Sequence, residues 1–150
     1  MNLTLLPRPA AAAFPGWFFR LDPGSAGPPR VLMIEDDLTI ATMYRLQLQS
    51  DGFEVQLATD GATGLHLAQQ SAPDLVLLDI RLPKLPGLEV MRAIAADPGL
   101  AQVAVLILSN YSDPVMVKET LELGARAYLV KSQTTPDALS RKIREHLPAD

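Results

Sequence analysis

Cysteine is missing from all 150 residues, so neither a disulfide framework nor a thiolate metal centre can form. A reducing compartment suits such a chain, and a cytoplasmic location is expected. Basic clusters are missing as well. The 13 Lys and Arg are scattered among 17 Asp and Glu, giving a net charge of -4. Direct nucleic-acid contact needs a concentrated positive face, so none is expected. No apolar run approaches the roughly 18 residues of a membrane span. The amino terminus lacks a basic stretch followed by an uninterrupted apolar one, so no export signal is expected. Internal repeats, long charged tracts and low-complexity segments are also absent. What is present is enough chain for one domain with a sizeable core.

Residues 1–29 differ in texture from the rest. Pro7, Pro9, Pro15, Pro23, Pro28 and Pro29 stand among alanines and the aromatic group Phe14, Trp17, Phe18 and Phe19. So many prolines exclude a regular helix through the segment. It reads as a flexible Pro/Ala-rich N-terminal extension, with docking through the aromatics as the alternative.

From Arg30 onward, short apolar runs alternate with helical patterns of about a dozen residues, the mark of a parallel sheet covered by helices on both faces. Strands are expected over residues 30–35, 53–58, 74–79, 103–108 and 127–131. The second, Phe53-Glu54-Val55-Gln56-Leu57, alternates apolar and polar residues and belongs near an edge. A first helix over about Leu38 to Ser50 ends at Gly52, and a second starts after Asp60 and is bounded by Pro73. Pro86-Gly87, Asp113-Pro114 and Thr135-Pro136 open the remaining three, and Gly124 closes the fourth. Only Pro148-Ala149-Asp150 follows the fifth, so no second domain is expected.

Four of the apolar runs stop at a reactive polar side chain. Val31–Ile34 leads into Glu35-Asp36-Asp37, Leu75–Leu78 into Asp79, Val103–Leu108 into Ser109, and Tyr128–Val130 into Lys131. Ligands of open α/β sheets bind beyond the carboxyl ends of the strands, so these groups are expected to converge. Carboxylates, a hydroxyl and an ammonium at one point suit phosphoryl chemistry with a metal. Asp79 is placed as a nucleophile, since a carboxylate can accept a phosphoryl group as an acyl phosphate. Crowded carboxylates raise one another's pKa unless a cation compensates, and Mg²⁺ is the natural one for hard oxygen donors.

Taken together, Val31-Leu32-Met33-Ile34-Glu35-Asp36-Asp37, Asp74–Pro83, Leu106-Ile107-Leu108-Ser109 and Gly124–Lys131 form a specific pattern. From about Arg30 to Leu147 the chain resembles a receiver domain of the bacterial two-component response regulators, of the stand-alone, chemotaxis-regulator-like kind. The domain is placed over residues 30–148. The resemblance implies a flavodoxin-like, doubly wound five-stranded parallel sheet of order 2-1-3-4-5 with five helices. It implies a phosphoacceptor switch, not an enzyme acting on other substrates. Asp79 would take a phosphoryl group from a sensor histidine kinase or histidine phosphotransfer protein, and the signal would pass to a downstream protein effector. Asp36 and Asp79 would bind Mg²⁺ directly, Glu35 mainly through water, and Arg81 through its backbone carbonyl. Lys131 would pair with Asp79 and then with the phosphoryl group, to which Ser109 would donate its hydroxyl. Tyr128 would act with Ser109 as an aromatic switch. Asp37 is read either as a further acid or as the start of the first helix. His66 and His146 lie in helical segments outside the acid cluster.

Two positions depart from the family pattern, and two bulky residues flank the site. Ser132 replaces the usual proline after the lysine, so no cis X-Pro bond can form there. Asn110 is larger than the usual neighbour of the hydroxyl residue and is expected to narrow access. Arg81 and Tyr111 are bulky flanking residues expected to slow hydrolysis of the acyl phosphate. Two rival readings remain: a receiver-like binding module that signals without phosphorylation, and an aspartate-dependent phosphatase of the haloacid dehalogenase type. The second requires Asp-x-Asp after a strand, and Asp79-Ile80-Arg81 lacks the second acid.

Overall fold

The computed structural model describes residues 27–148. The extension expected over residues 1–29 lies outside them, apart from its last three residues. In chain order the elements are β1 Arg30–Ile34, α1 Leu38–Ser50, β2 Glu54–Ala58, α2 Gly61–Ser71, β3 Leu75–Leu78 and α3 Gly87–Ala96. They continue as β4 Ala104–Ser109, α4 Pro114–Glu122, β5 Ala127–Val130 and α5 Pro136–His146. Short 3-10 turns at Pro98–Leu100 and Lys131–Gln133 were not anticipated from the sequence. The strands form one parallel sheet of order β2-β1-β3-β4-β5, with β2 at an edge as its alternating pattern requires.

Two apolar layers hold the sheet, and the period of two along each strand sorts residues between them. Leu32, Ile34, Val76, Leu78, Val105 and Ile107 face α2 and α3, against Ala68, Val90, Met91 and Ile94. Val31, Met33, Leu75, Leu77, Leu106 and Leu108 face α1 and α5, against Tyr44, Leu48, Leu139 and Ile143. Strands buried on both sides need helices on both sides, which is why the three central strands read as unbroken apolar runs.

Side-chain caps set where the helices begin. Asp37 accepts from Thr39 N–H at 3.0 Å and Ile40 N–H at 3.2 Å, so its role here is to start α1. Asp60 caps α2 through Thr63 N–H at 2.7 Å, and Asp113 caps α4 through Val115 N–H at 2.8 Å. Thr135 Oγ1 accepts from Ala138 N–H at 3.1 Å at the head of α5. Thr135→Ala is expected to lower stability by about 1 kcal/mol, measured by denaturant unfolding. Gly52 and Gly124 follow α1 and α4 with φ of 96° and 113°, a left-handed geometry that a side chain resists. The strand limits shift by a residue or so from expectation. Glu35, Asp74 and Asp79 fall just outside their strands, Ser109 ends β4, and Lys131 opens a turn instead of closing β5.

Candidate functional site

Register explains why the polar ends meet. Ile34 lies opposite Leu78 across the β1–β3 pair, so Glu35 and Asp79 leave their strands side by side. The Asp79 N–H still donates to the Ile34 carbonyl at 3.1 Å. Ser109 lies opposite Val130 across the β4–β5 pair, and Lys131 follows. Phase does the rest. Val31, Met33 and Glu35 share one parity along β1, as do Leu75, Leu77 and Asp79 along β3, and Ala127, Leu129 and Lys131 along β5. All three polar groups therefore continue the α1–α5 side of the sheet. Ser109 and Tyr128 continue the opposite parity and belong to the α2–α3 side.

The Lys131 ammonium sits between two carboxylates, 2.8 Å from Asp79 Oδ2 and 2.5 Å from Glu35 Oε1. Glu35 Oε2 also accepts the Asp37 N–H at 3.1 Å. Glu35 and Asp79 are only 3% and 6% exposed, whereas Asp36 is exposed. Glu35, Asp36 and Asp79 each place a carboxylate oxygen within 4.8 Å of the others. Burial pushes the Glu35 carboxyl above its ordinary range, against the downward pull of its hydrogen bond to Lys131. Burial acts to lower Lys131, but its bonds to Asp79 and Glu35 outweigh that and hold the ammonium above the ordinary lysine range. Three carboxylates against one ammonium leave the cluster short of positive charge.

Around the cluster, the buried Ser109 Oγ accepts the Tyr111 N–H at 3.1 Å. The Tyr128 hydroxyl donates to the Tyr111 carbonyl, so serine and tyrosine grip the same residue of the loop after β4. Burial pushes the Tyr128 hydroxyl pKa up. Arg81 lays its guanidinium over the Tyr111 ring, 4.2 Å from the centroid, joining the loops after β3 and β4. Its backbone N–H points at Asp79 Oδ1 across a long 3.4 Å. His66 lies exposed on α2 and His146 ends α5, and neither joins the acids.

The two departures at 110 and 132 meet each other. Asn110 Oδ1 accepts the Ser132 N–H at 2.9 Å, so its carboxamide is engaged with the Lys131 turn. Tyr44 is a residue that sequence reasoning passed over. Its hydroxyl donates to the Thr134 carbonyl at 2.7 Å, under the same turn. Tyr44 occupies a helical stripe with Ala41 and Leu48, where a core role is the natural reading.

The comparisons agree with this architecture. A family model described as the response regulator receiver domain matches residues 31–144. The DNA-binding response regulator MtrA of Mycolicibacterium paratuberculosis is 36% identical over 118 residues, 79% of this chain and 51% of MtrA. The transcriptional regulatory protein AfsQ1 of Streptomyces coelicolor is 39% identical over 103 residues, 69% of this chain and 44% of AfsQ1. The chain thus spans about half the length of the curated relatives it matches. Among solved structures, the chemotaxis response regulator CheY4 of Vibrio cholerae superposes with a TM-score of 0.73 at 28% identity, covering 80% of this chain and 99% of that one. A CheY-like receiver protein from Methanospirillum hungatei gives 0.72 at 29% identity, covering 79% and 93%. With the strand order, the polar strand ends and these matches in agreement, the chain belongs to the response regulator receiver domain family.

Proposed function

We propose that the chain is a phosphoacceptor signalling switch in which Asp79 receives a phosphoryl group and the change is read by a protein partner. The observation that carries this reading is the meeting of Asp79 with Lys131 at 2.8 Å, beside Glu35 and Asp36. An Asp79 carboxylate oxygen attacks phosphorus while the phosphorus–nitrogen bond of a phosphohistidine donor breaks. The leaving imidazole keeps the electron pair and takes up a proton. Transfer of this kind asks a protein mainly to position groups and neutralise oxygens. Lys131 is already at hand for the transferred oxygens, and Ser109 donates its hydroxyl to them once it releases the Tyr111 N–H. Tyr128 then loses its reason to stay bonded to a displaced Tyr111 carbonyl. A local charge change of this sort biases a two-state loop surface, here the loop after β4 and its neighbours α4 and β5.

The donor set fits a hard divalent cation. Three carboxylate oxygens within 4.8 Å of one another, short of positive charge and without a sulfur ligand, suit Mg²⁺. Asp36 and Asp79 would hold it directly, Glu35 mainly through water, and the Arg81 carbonyl would add a ligand. When bound, the ion supplies neutralisation of the phosphoryl oxygens. The proposed donor is a sensor histidine kinase or histidine phosphotransfer protein, and the proposed output is a downstream protein effector. The scattered basic residues support protein-mediated output over direct nucleic-acid binding. The lack of cysteine supports a cytoplasmic setting, and no described helix is long and apolar enough to cross a membrane.

Incubation with acetyl phosphate and Mg²⁺, followed by intact mass, tests the reading. One phosphoryl increment is expected, and a chelator should abolish it. An unchanged mass would favour the binding-module alternative. The Arg81–Tyr111 stack supports slow self-hydrolysis by screening attacking water from Asp79. Arg81→Ala is therefore expected to shorten the acyl-phosphate lifetime several-fold, read as the decay of the mass increment. A wild-type lifetime no longer than that of free acetyl phosphate would contradict the screening.

A further inference from the structure

The turn that presents Lys131 is held by two side chains that belong neither to the acid cluster nor to the Ser109–Tyr128 pair. Beneath it, the Tyr44 hydroxyl donates to the Thr134 carbonyl at 2.7 Å and lies 3.4 Å from the Lys131 carbonyl. Beside it, the Asn110 carboxamide oxygen accepts the Ser132 N–H at 2.9 Å. A proline at 132 would have no N–H to offer, and an apolar residue at 110 would have no acceptor. The two departures from the family pattern therefore answer each other. Thr134 Oγ1 adds a bond to the Val130 carbonyl at 2.8 Å, tying the turn back to its own strand.

Tyr44 is 2% exposed and packs in the α1–α5 layer, the side of the sheet from which the Lys131 side chain emerges. Its hydroxyl carries the position of a packed helix to a turn only three residues long. A lysine ammonium rides on a flexible four-carbon stem, so its aim depends on where the stem is rooted. Small displacements of a positioned group weigh heavily on transfer rates.

We infer that Tyr44 and Asn110 are positioning residues for Lys131 in phosphoryl transfer, acting through the backbone of residues 131–134. The inference rests on the reading of Asp79 as phosphoacceptor. It is tested by phosphorylation rates with acetyl phosphate and saturating Mg²⁺ for the full chain, Tyr44→Phe and Asn110→Ala, each repeated in a Lys131→Met background. Each single change is expected to lower the maximal rate about three- to tenfold, the scale of one hydrogen bond, with the half-saturating phosphodonor concentration unchanged. In the Lys131→Met background neither change is expected to lower the rate further, because the group it positions is gone. A merely structural role would give the same fold-loss in both backgrounds. Should Tyr44→Phe not fold, Asn110→Ala and Ser132→Pro carry the test, since they remove acceptor and donor of one bond at exposed positions. A second readout needs no phosphoryl chemistry: the Ser132 amide should exchange with solvent faster in Asn110→Ala. Undiminished rates beside a phosphorylated wild type, equal losses in both backgrounds, or an unchanged Ser132 amide would overturn this inference alone. A wild type that takes up no phosphoryl group would overturn the phosphoacceptor reading and this inference with it.

Discussion

Lys131→Met is expected to destabilise the protein by about 3 kcal/mol at neutral pH, the scale for removing one partner of a buried ion pair. The substitution keeps most of the side-chain volume but leaves Glu35 and Asp79, both almost fully buried, without their shared cation. The sign of the pH dependence follows from the two groups. Burial already holds the Glu35 carboxyl above its ordinary range, and losing Lys131 removes a downward pull. An acid whose pKa is raised on folding binds its proton more readily in the folded state, so it weakens the fold as pH rises through that window. The deficit should therefore shrink as pH falls through the range in which Glu35 takes up its proton. It should be full at pH 7 to 8. Lys131 itself titrates above the ordinary lysine value in the folded wild type, so its contribution is present below about 10.5 and lost above. Denaturant unfolding at a series of pH values checks this, and a pH-independent difference would show that the ammonium contributes packing and not charge. Phosphoryl uptake by the variant should slow about 100-fold, as when one preorganised donor is removed from a reacting oxygen.

Gly87→Ala is the second large effect, and it acts on Asp79 from behind. A Cβ at position 87 would stand 2.1 Å from the Asp79 carbonyl oxygen and 2.6 Å from Ile80 Cα. Neither is a side-chain tip that can rotate away. The same glycine donates its N–H to the Ile80 carbonyl at 2.8 Å, so the start of α3 is docked directly on the Asp79–Ile80 backbone. Relief requires α3 to lift or the loop after β3 to shift. On the order of 3 kcal/mol of stability is expected to be lost. A shift of about 1 Å in Asp79 should also slow phosphoryl uptake about 100-fold. Thermal unfolding and intact-mass kinetics read the two consequences separately. Wild-type stability together with wild-type uptake would mean that α3 does not buttress Asp79.

Much of this arrangement can be read from the chain before any coordinates. Glu35, Asp79 and Lys131 each sit two residues beyond an apolar residue of the same parity, so counting by two along parallel strands places them on one side of the sheet. Asp37, Asp60, Asp113 and Thr135 mark helix starts through a local hydrogen bond, and local chemistry is what a sequence displays most directly. What stayed hidden depends on approach between distant segments. Nothing near Gly87 in the chain reveals that the Asp79 peptide will press against it. Tyr44 looks like any core residue on a helical stripe until the Thr134 carbonyl, 90 residues away, is known to lie above its hydroxyl. Asn110 and Ser132 looked like two separate irregularities and are one hydrogen bond. The 3-10 turn at Lys131–Gln133 escaped notice because an apolar strand running into lysine carries no turn signal of its own.

In the proposed switch the Asp79 carboxylate, and no other acid of the cluster, takes up the phosphoryl group. Borohydride reduction of the protein after treatment with acetyl phosphate and Mg²⁺ converts an aspartyl phosphate to homoserine, and peptide sequencing by mass locates it. Homoserine is expected at position 79 in the wild type and none anywhere in Asp79→Asn. Homoserine at position 36, reduction at Glu35, or an Asp79→Asn protein labelled as fully as the wild type would contradict that role for Asp79.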